Sequence, residues 1–406
     1  MSLLVGIDDI NLYASTYSLD TTTLAIARSV GEKVIKDTGF VRRSVAPPWE
    51  DSVTFGVNAA LPLLKNVDKN EIGLLIVATE SGLDYGKPVS TYIHKLLKLS
   101  SSCTNFEIKH ACFGGTAALQ MALAWQRANP ESNKKAMVIC TDLARPHLSD
   151  LAEFTSGSAS VAMIVAKDPK LAIIHAERGC ATQEVYDVAR PTLDCEWGDP
   201  VLSLYSYMDL LELSWMDYMK VQSKEKLSFN ELDYIAYHTP LLSLIKYAHN
   251  LLLENAVPDD LERASFSVMC EPALKYNNEV SNIYSGSLYA ALIGLIEKAG
   301  HDQSSLNVGC FSYGSGACSE FYTCTILPSG WQHIRDHQIM LHLNERVVLD
   351  MSRYELFMKG NMNTNLIPNH TVDLSQYFEE VADHYARNDW VILEKIENYY
   401  RHYRKI

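Results

Sequence analysis

Cys112 stands where an extended-favouring run containing Phe106 and Ile108 meets two glycines and a small-residue helical stretch, the whole reading FEIKHACFGGTAA from Phe106 to Ala118. That order predicts a strand, a tight turn and a buried helix with a thiol at the hinge. A thiol at a helix N-terminus sees unpaired backbone N–H groups and the positive end of the helix dipole, both of which favour the nucleophilic thiolate. Gly114 and Gly115 are expected to clear space for a substrate against the backbone. A buried small hydrophobe is the plainer account of a single cysteine. The Gly-Gly-Thr context turns the reading toward a nucleophile.

Glu80 follows the apolar run IGLLIVAT (72–79), the pattern of a strand buried on both faces of a sheet. Partial burial there raises a carboxyl pKa toward neutrality, which suits a general base. His238 ends LDYIAY (232–237) in the same way, although a histidine at a strand end is often only structural. Asn282 precedes the helical stretch YSGSLYAALIGLIEK and would equally serve as an N-cap.

These residues need elements to place them. Apolar runs such as AMVICT (136–141) and LNVGCF (306–311) alternate with helical stretches, predicting an α/β protein with a mixed central sheet. GSASVAMIVAKD and LAIIHAERG read as a hairpin-like pair, Thr22 to Lys36 as helical, and Val53 to Leu64 as a further helix. The second half repeats the plan of the first at a spacing of roughly 160 residues, which suggests a duplicated domain. The expected units are 1–168, 169–330 and a charged, aromatic appendage, 331–406, packed on the core. Glu80 and Cys112 from one half would then converge with His238 and Asn282 from the other.

The chain has 406 residues, 47% of them hydrophobic and 21% charged, as in an ordinary globular protein. A formal charge of -14 argues against nucleic acid as the main partner. No apolar stretch is long enough to span a membrane, MSLLVGIDD lacks the pattern of a signal peptide, and the expected location is the cytoplasm. The nine cysteines are dispersed and never spaced as CxxC, so neither a disulfide framework nor a zinc site is expected.

ACFGGTAA around Cys112, TESGLDYGK around Glu80, YHTP around His238, SNIYSGSLY around Asn282 and FSYGSG around Ser315 together resemble the 3-hydroxy-3-methylglutaryl-CoA synthase family of the thiolase fold. SVAPPWEDSVTFGVNAA, TSGSASVAMIV and the ending VILEKIENYYRHYRKI are similar to the branch found in polyketide gene clusters. The resemblance implies duplicated α/β halves in α-β-α-β-α layers and a homodimer. It implies an enzyme that condenses an acetyl group from a donor acyl carrier protein with the β-keto group of a polyketide on an acceptor carrier protein. The product would be a 3-hydroxy-3-carboxymethyl thioester for β-branching. No cofactor is implied beyond the phosphopantetheine, or alternatively coenzyme A, that carries the substrates.

By the same resemblance, Cys112 carries the acetyl group and Glu80 is the base. The N–H groups of Cys112 and of Ser315, beside Gly314 and Gly316, hold the oxyanion, and His238 and Asn282 hold the acceptor. Thr155, Ser156 and Gly157 match a loop lining the acyl pocket, where turn chemistry is an equal account. Tyr186, Asp187, Arg190 and Pro191 resemble a further family segment, again with turn chemistry as an equal account. Lys246 would face the phosphopantetheine phosphate, against the plain reading of a solvated lysine. Because carrier proteins are acidic and this chain is too, docking requires a local basic face, for which Lys33, Lys36, Arg42 and Arg43 are candidates. The alternatives are a primary-metabolism synthase using acetyl-CoA and acetoacetyl-CoA, a decarboxylating ketosynthase, against which Glu80 speaks, and a non-catalytic acyl-carrier binder.

Overall fold

The structure is a computed structural model that describes residues 3–192, 195–222, 229–256, 261–362, 367–374 and 377–406. In chain order the strands are β1 (Val5–Ala14), β2 (Tyr17–Asp20), β3 (Arg42–Ser44), β4 (Ile72–Ala78), β5 (Thr104–Ile108), β6 (Lys135–Asp142) and β7 (Ala159–Lys167). They continue with β8 (Ala172–Thr182), β9 (Val188–Thr192), β10 (Cys195–Gly198), β11 (Tyr234–Tyr237), β12 (Leu306–Gly314), β13 (Cys318–Ile326) and β14 (Val347–Val348), followed by a C-terminal meander.

Nine of these form one sheet in the order β11-β12-β13-β8-β1-β7-β6-β4-β5. Outward from the centre, β1-β7-β6-β4 and β8-β13-β12-β11 repeat the same antiparallel, antiparallel, parallel pairings. The duplication inferred from the sequence is therefore present in the topology, and among the described residues β5 is the strand of the sheet without a counterpart. The halves join where β1 meets β8 at two residue pairs, Gly6↔Ile173 and Ile7↔Ala172. A Cβ on Gly6 would lie 1.9 Å from the Ala172 carbonyl oxygen, so only glycine permits that approach. β7 and β8 are not the hairpin their adjacency suggested, because β1 is inserted between them and takes the hydrogen bonds of both.

Alternation along the strands builds the layers. Leu74, Ile76 and Ala78 of β4 face a central core, while Leu75 and Val77 face an outer one. The central core is filled from both halves by the helices Gly114–Ala128 and Ser287–Asp302. Ser52–Ala60 and Val89–Leu97 cover the outer face of the first half, and Pro200–Val221 and Leu242–Ala256 that of the second. Helix, sheet, helix, sheet, helix is the five-layer order of the thiolase fold. Each fully buried Val, Leu or Ile side chain contributes about 1.5–3 kcal/mol, so the central helices are fixed firmly where both halves meet.

Two expected elements differ. The helix expected over Thr22 to Lys36 is two, Thr21–Ala27 and Glu32–Thr38, because Ser29 adopts a positive φ of 54° between them. The helix expected over Val53 to Leu64 ends at Ala60 and gives way to a 3-10 turn at Leu63–Lys65. Within 331–406, β14 pairs with β2, and Tyr354, Phe357, Tyr385 and Trp390 are buried in the outer core of the first half.

Gly157 links the halves. Its N–H donates to the Asn282 carbonyl at 2.8 Å, and a Cβ there would lie 1.8 Å from the Val280 carbonyl oxygen. Gly157→Ala is expected to cost about 1–3 kcal/mol through overpacking. Thermal unfolding should show a lowered Tm, whereas Gly86→Ala, whose nearest contact would be an ordinary 3.6 Å, should leave it near wild type.

Candidate active site

The site is built at the carboxyl ends of parallel strands, where ligands gather in α/β sheets. Glu80 follows β4, Cys112 follows β5, Asp142 ends β6, His238 follows β11 and Ser315 follows β12. Glycines bring the two sets together. A Cβ on Gly314 would be 2.4 Å from the backbone nitrogen of Phe113, so the Gly314–Ser315–Gly316 turn lies directly on the Cys112 turn. A Cβ on Gly115 would be 2.4 Å from the Ser285 carbonyl oxygen. The absent side chain of Gly115 thus makes room for the second half of the protein, which corrects its expected role beside the substrate.

Cys112 is a free thiol at intermediate exposure, preceding a helix that begins only at Gly114. The activated thiolate expected from the helix dipole is corrected by its surroundings. Burial pushes the thiol pKa well above its ordinary value, and the carboxylates of Glu80 and Asp142 push it further, with Arg190 alone opposing among the principal groups. At rest the Cys112 side chain is a thiol.

Glu80 matches its expected character. Burial raises its pKa to about 8; Arg190 opposes this, and the like charges of Asp142 and Glu196 add to it. Its oxygen Oε1 lies 3.4 Å from Arg190 Nη2. Asp142, which the sequence reading missed, secures this corner. Oδ1 accepts from the Glu80 N–H (2.9 Å) and the Thr79 and Ser81 hydroxyls (3.1 Å each), and Oδ2 accepts from the Ser285 hydroxyl (2.6 Å). The available signal was the same as for Glu80, an acid ending a doubly buried apolar run.

Two clefts open here. One, of ≈ 580 Å³, is lined by Glu80, His110, Ala111, Arg190, Ser315 and Gly316 among others. The second, of ≈ 810 Å³ and mainly apolar, is lined by Thr155, Glu196, Trp197, Leu204, Leu241 and Leu244 among others. Val188 borders both, and the β9-β10 ribbon carries Arg190 and Glu196 between them.

His238 is 2% exposed, and burial lowers its pKa to about 3, so it is a neutral imidazole at physiological pH. Asn282 caps the turn ahead of the Ser287–Asp302 helix: its Oδ1 accepts from the Tyr284 N–H (2.9 Å) and the Ser287 hydroxyl (2.8 Å). The capping account of Asn282 therefore holds for its side-chain carbonyl. The helix it was expected to open starts one 3-10 turn later, at Ser287. Gly316, at φ 116°, lines the first cleft but donates its N–H to Asp187 Oδ1 at 3.0 Å. Thr155 joins the Asn282 backbone through its carbonyl at 2.8 Å. Lys246 is exposed on the helix whose Leu244 lines the second cleft.

The candidate docking patch is corrected. Arg43 is 1% exposed and donates to the Glu153 carbonyl and the Tyr354 hydroxyl, and Arg42 is paired with Asp20 and Glu279. Of the four residues, only Lys33 and Lys36 are exposed. Charge counted along the chain could not distinguish a buried arginine from a docking one.

A duplicated five-layer α/β fold with a cysteine and an acid at adjoining strand ends defines a condensing enzyme of the thiolase type. The family is settled by the sequence: "Hydroxymethylglutaryl-coenzyme A synthase N terminal" matches residues 3–170 and "Hydroxymethylglutaryl-coenzyme A synthase C terminal" matches residues 260–405. The chain belongs to the hydroxymethylglutaryl-CoA synthase family. It is 35% identical to the polyketide biosynthesis 3-hydroxy-3-methylglutaryl-ACP synthase PksG of Bacillus subtilis over 99% of each chain. It is 33% identical to the hydroxymethylglutaryl-CoA synthase of Enterococcus faecalis over 89% of this chain and 93% of that one. The curacin biosynthetic pathway HMG synthase in complex with holo donor-ACP is similar in structure, with a TM-score of 0.92, 33% identity and coverage of 99% and 100%. Among the described residues no helix is long and apolar enough to cross a membrane.

Proposed function

We propose that this enzyme installs a β-branch on a carrier-bound polyketide, taking its acetyl unit from a donor acyl carrier protein. The observation that carries the chemistry is the closeness of the Cys112 thiol to Glu80 and Arg190, which line one cleft, next to a second, larger apolar one. The end-to-end likeness to PksG and to the curacin pathway synthase supports carrier proteins over free coenzyme A.

The Cys112 sulfur attacks the acetyl thioester carbon and the carrier thiol departs with the proton, leaving acetyl-Cys112. Backbone N–H groups of the Cys112 and Ser315 turns face the developing oxyanion. Glu80 removes a proton from the acetyl methyl, the resulting carbanion attacks the β-ketone carbon of the acceptor, and the proton passes from Glu80 to the new alkoxide. His238, held neutral, and the Nδ2 amide of Asn282 hydrogen-bond the acceptor's carbonyl oxygens. Water then cleaves the Cys112 thioester, giving a free carboxylate and restoring the thiol. The apolar cleft beside Thr155 suits the acceptor's acyl chain, and Lys246 on the adjoining helix suits a phosphopantetheine phosphate. Both acyl groups arrive as thioesters, so the reaction requires no further cofactor. Dispersed thiols suit a cytoplasmic enzyme, and β5, a sheet-edge strand, offers a second copy a pairing surface for a homodimer.

The test compares donors. Acetyl carrier protein should acetylate the enzyme, seen by intact mass, at least about tenfold faster per donor concentration than acetyl-CoA, as an added protein interface worth about 1.4 kcal/mol would give. A faster reaction with acetyl-CoA, followed by release of hydroxymethylglutaryl-CoA from acetoacetyl-CoA, would establish the primary-metabolism reading instead.

A further inference from the structure

Arg190 faces two carboxylates and holds them unequally. Its Nη2 is 2.7 Å from Glu196 Oε1 and 3.4 Å from Glu80 Oε1. Charge-assisted N–H···O bonds lie at about 2.7–2.9 Å, so the first contact is at full hydrogen-bond distance and the second is longer and weaker. Glu196 is itself fixed from several elements. Its Oε1 accepts the Arg145 N–H at 2.8 Å, and both its oxygens lie 3.0 Å from the Tyr284 hydroxyl. The Tyr284 ring also lies 5.0 Å from the guanidinium, so one tyrosine holds both members of the pair. β9 and β10 form a separate two-stranded ribbon that carries Arg190 on one strand and Glu196 on the other, independently of the main sheet, with a register shift between Cys195 and Trp197.

We propose that Glu196 is a positioning residue that draws the Arg190 guanidinium away from Glu80, leaving the Glu80 carboxylate able to take the acetyl proton and return it to the alkoxide. The inference rests on the reading of Glu80 as the base. The principal groups acting on or beside Glu80 are Arg190 from β9, Glu196 from β10, Asp142 from β6, Cys112 from the turn after β5 and Tyr284 from the turn before the central helix, while Asp84, Tyr85, Glu107, Lys109 and His110 line the same cleft. Removing the Glu196 charge acts twice in one direction. It deletes a like charge that raises the Glu80 pKa, and it releases a cation to pair with Glu80 and lower it. Glu80 would then ionise at lower pH and be a weaker base once ionised.

The experiment is the pH dependence of kcat for condensation, measured on the full-length enzyme with acetyl and acetoacetyl thioesters of carrier protein or pantetheine. Glu196→Gln is expected to move the rising limb to lower pH by about one unit or more, the size of a single charge-pair effect, and to lower the plateau roughly tenfold as the base weakens. Glu196→Asp, which keeps the charge, should restore part of the wild-type limb. Tyr284→Phe, which loosens Glu196 without removing it, should give a smaller shift in the same direction. A limb that stays in place in both Glu196→Gln and Tyr284→Phe, whatever happens to kcat or Tm, overturns the proposal and leaves Glu196 a structural carboxylate. Glu80→Gln separates the two readings. Should it retain condensation, the assignment of the base falls and the inference with it; should it lose condensation while Glu196→Gln leaves the limb unmoved, only the inference falls.

Discussion

Cys112→Ala is expected to abolish the acetyl adduct with every donor and to reduce condensation to background, with the fold unchanged. The substitution removes one sulfur from a partly exposed turn whose packing rests on Gly115 and Gly314, both untouched. Intact-mass measurement after incubation with acetyl carrier protein checks the first part, and an unchanged Tm checks the second. An adduct that persists in the variant would place the acetyl group on another residue and remove Cys112 from the reaction. The raised thiol pKa adds a pH signature. Alkylation of wild-type Cys112, followed by peptide mass, should be slow at neutral pH and accelerate as pH rises, because the reactive thiolate is disfavoured by burial and by two facing carboxylates. The helix-dipole expectation would have given fast alkylation at neutral pH.

Glu80→Gln separates the two halves of the reaction. Acetylation of Cys112 needs no base at this position and should survive within about tenfold, while condensation should fall about 10²–10⁴-fold, the usual contribution of a positioned general base. Trapped acetyl-enzyme would accumulate in the variant and be visible by mass. Equal loss of both steps would mean that Glu80 supports the structure of the cleft, and undiminished condensation would remove it as the base. The thiol supplies an internal control for proximity. Deleting the Glu80 charge takes away a group that raises the Cys112 pKa, so alkylation should set in at lower pH than in wild type.

Much of the architecture could be read along the chain because it is written in local patterns. IGLLIVAT is apolar at every second and every intervening position, and it becomes a strand whose alternate residues enter different cores. FEIKHACFGGTAA becomes strand, turn and helix because glycines and small residues at that spacing allow little else. Adjacency in sequence failed where pairing was decided at long range. β7 and β8 look like a hairpin until β1, contributed by the first residues of the chain, takes the place between them. The same limit applies to the site. Asp142 ends a run as plainly as Glu80 does, but the second half's Ser285, which completes its role as a tie, is 143 residues away.

The sequence by itself determined which residues have the chemistry: a cysteine at a turn, an acid and a histidine at strand ends, and glycines where backbones must approach closely. Residue type, periodicity and turn composition act within a few neighbours, and those neighbours are adjacent in the chain. Only the tertiary structure decided what state each residue is in. It turned the expected Cys112 thiolate into a thiol, made His238 neutral, removed Arg43 from any docking surface and divided Arg190 between Glu80 and Glu196. Charge state depends on burial and on every charge nearby, and folding is what brings those charges together from distant parts of the chain.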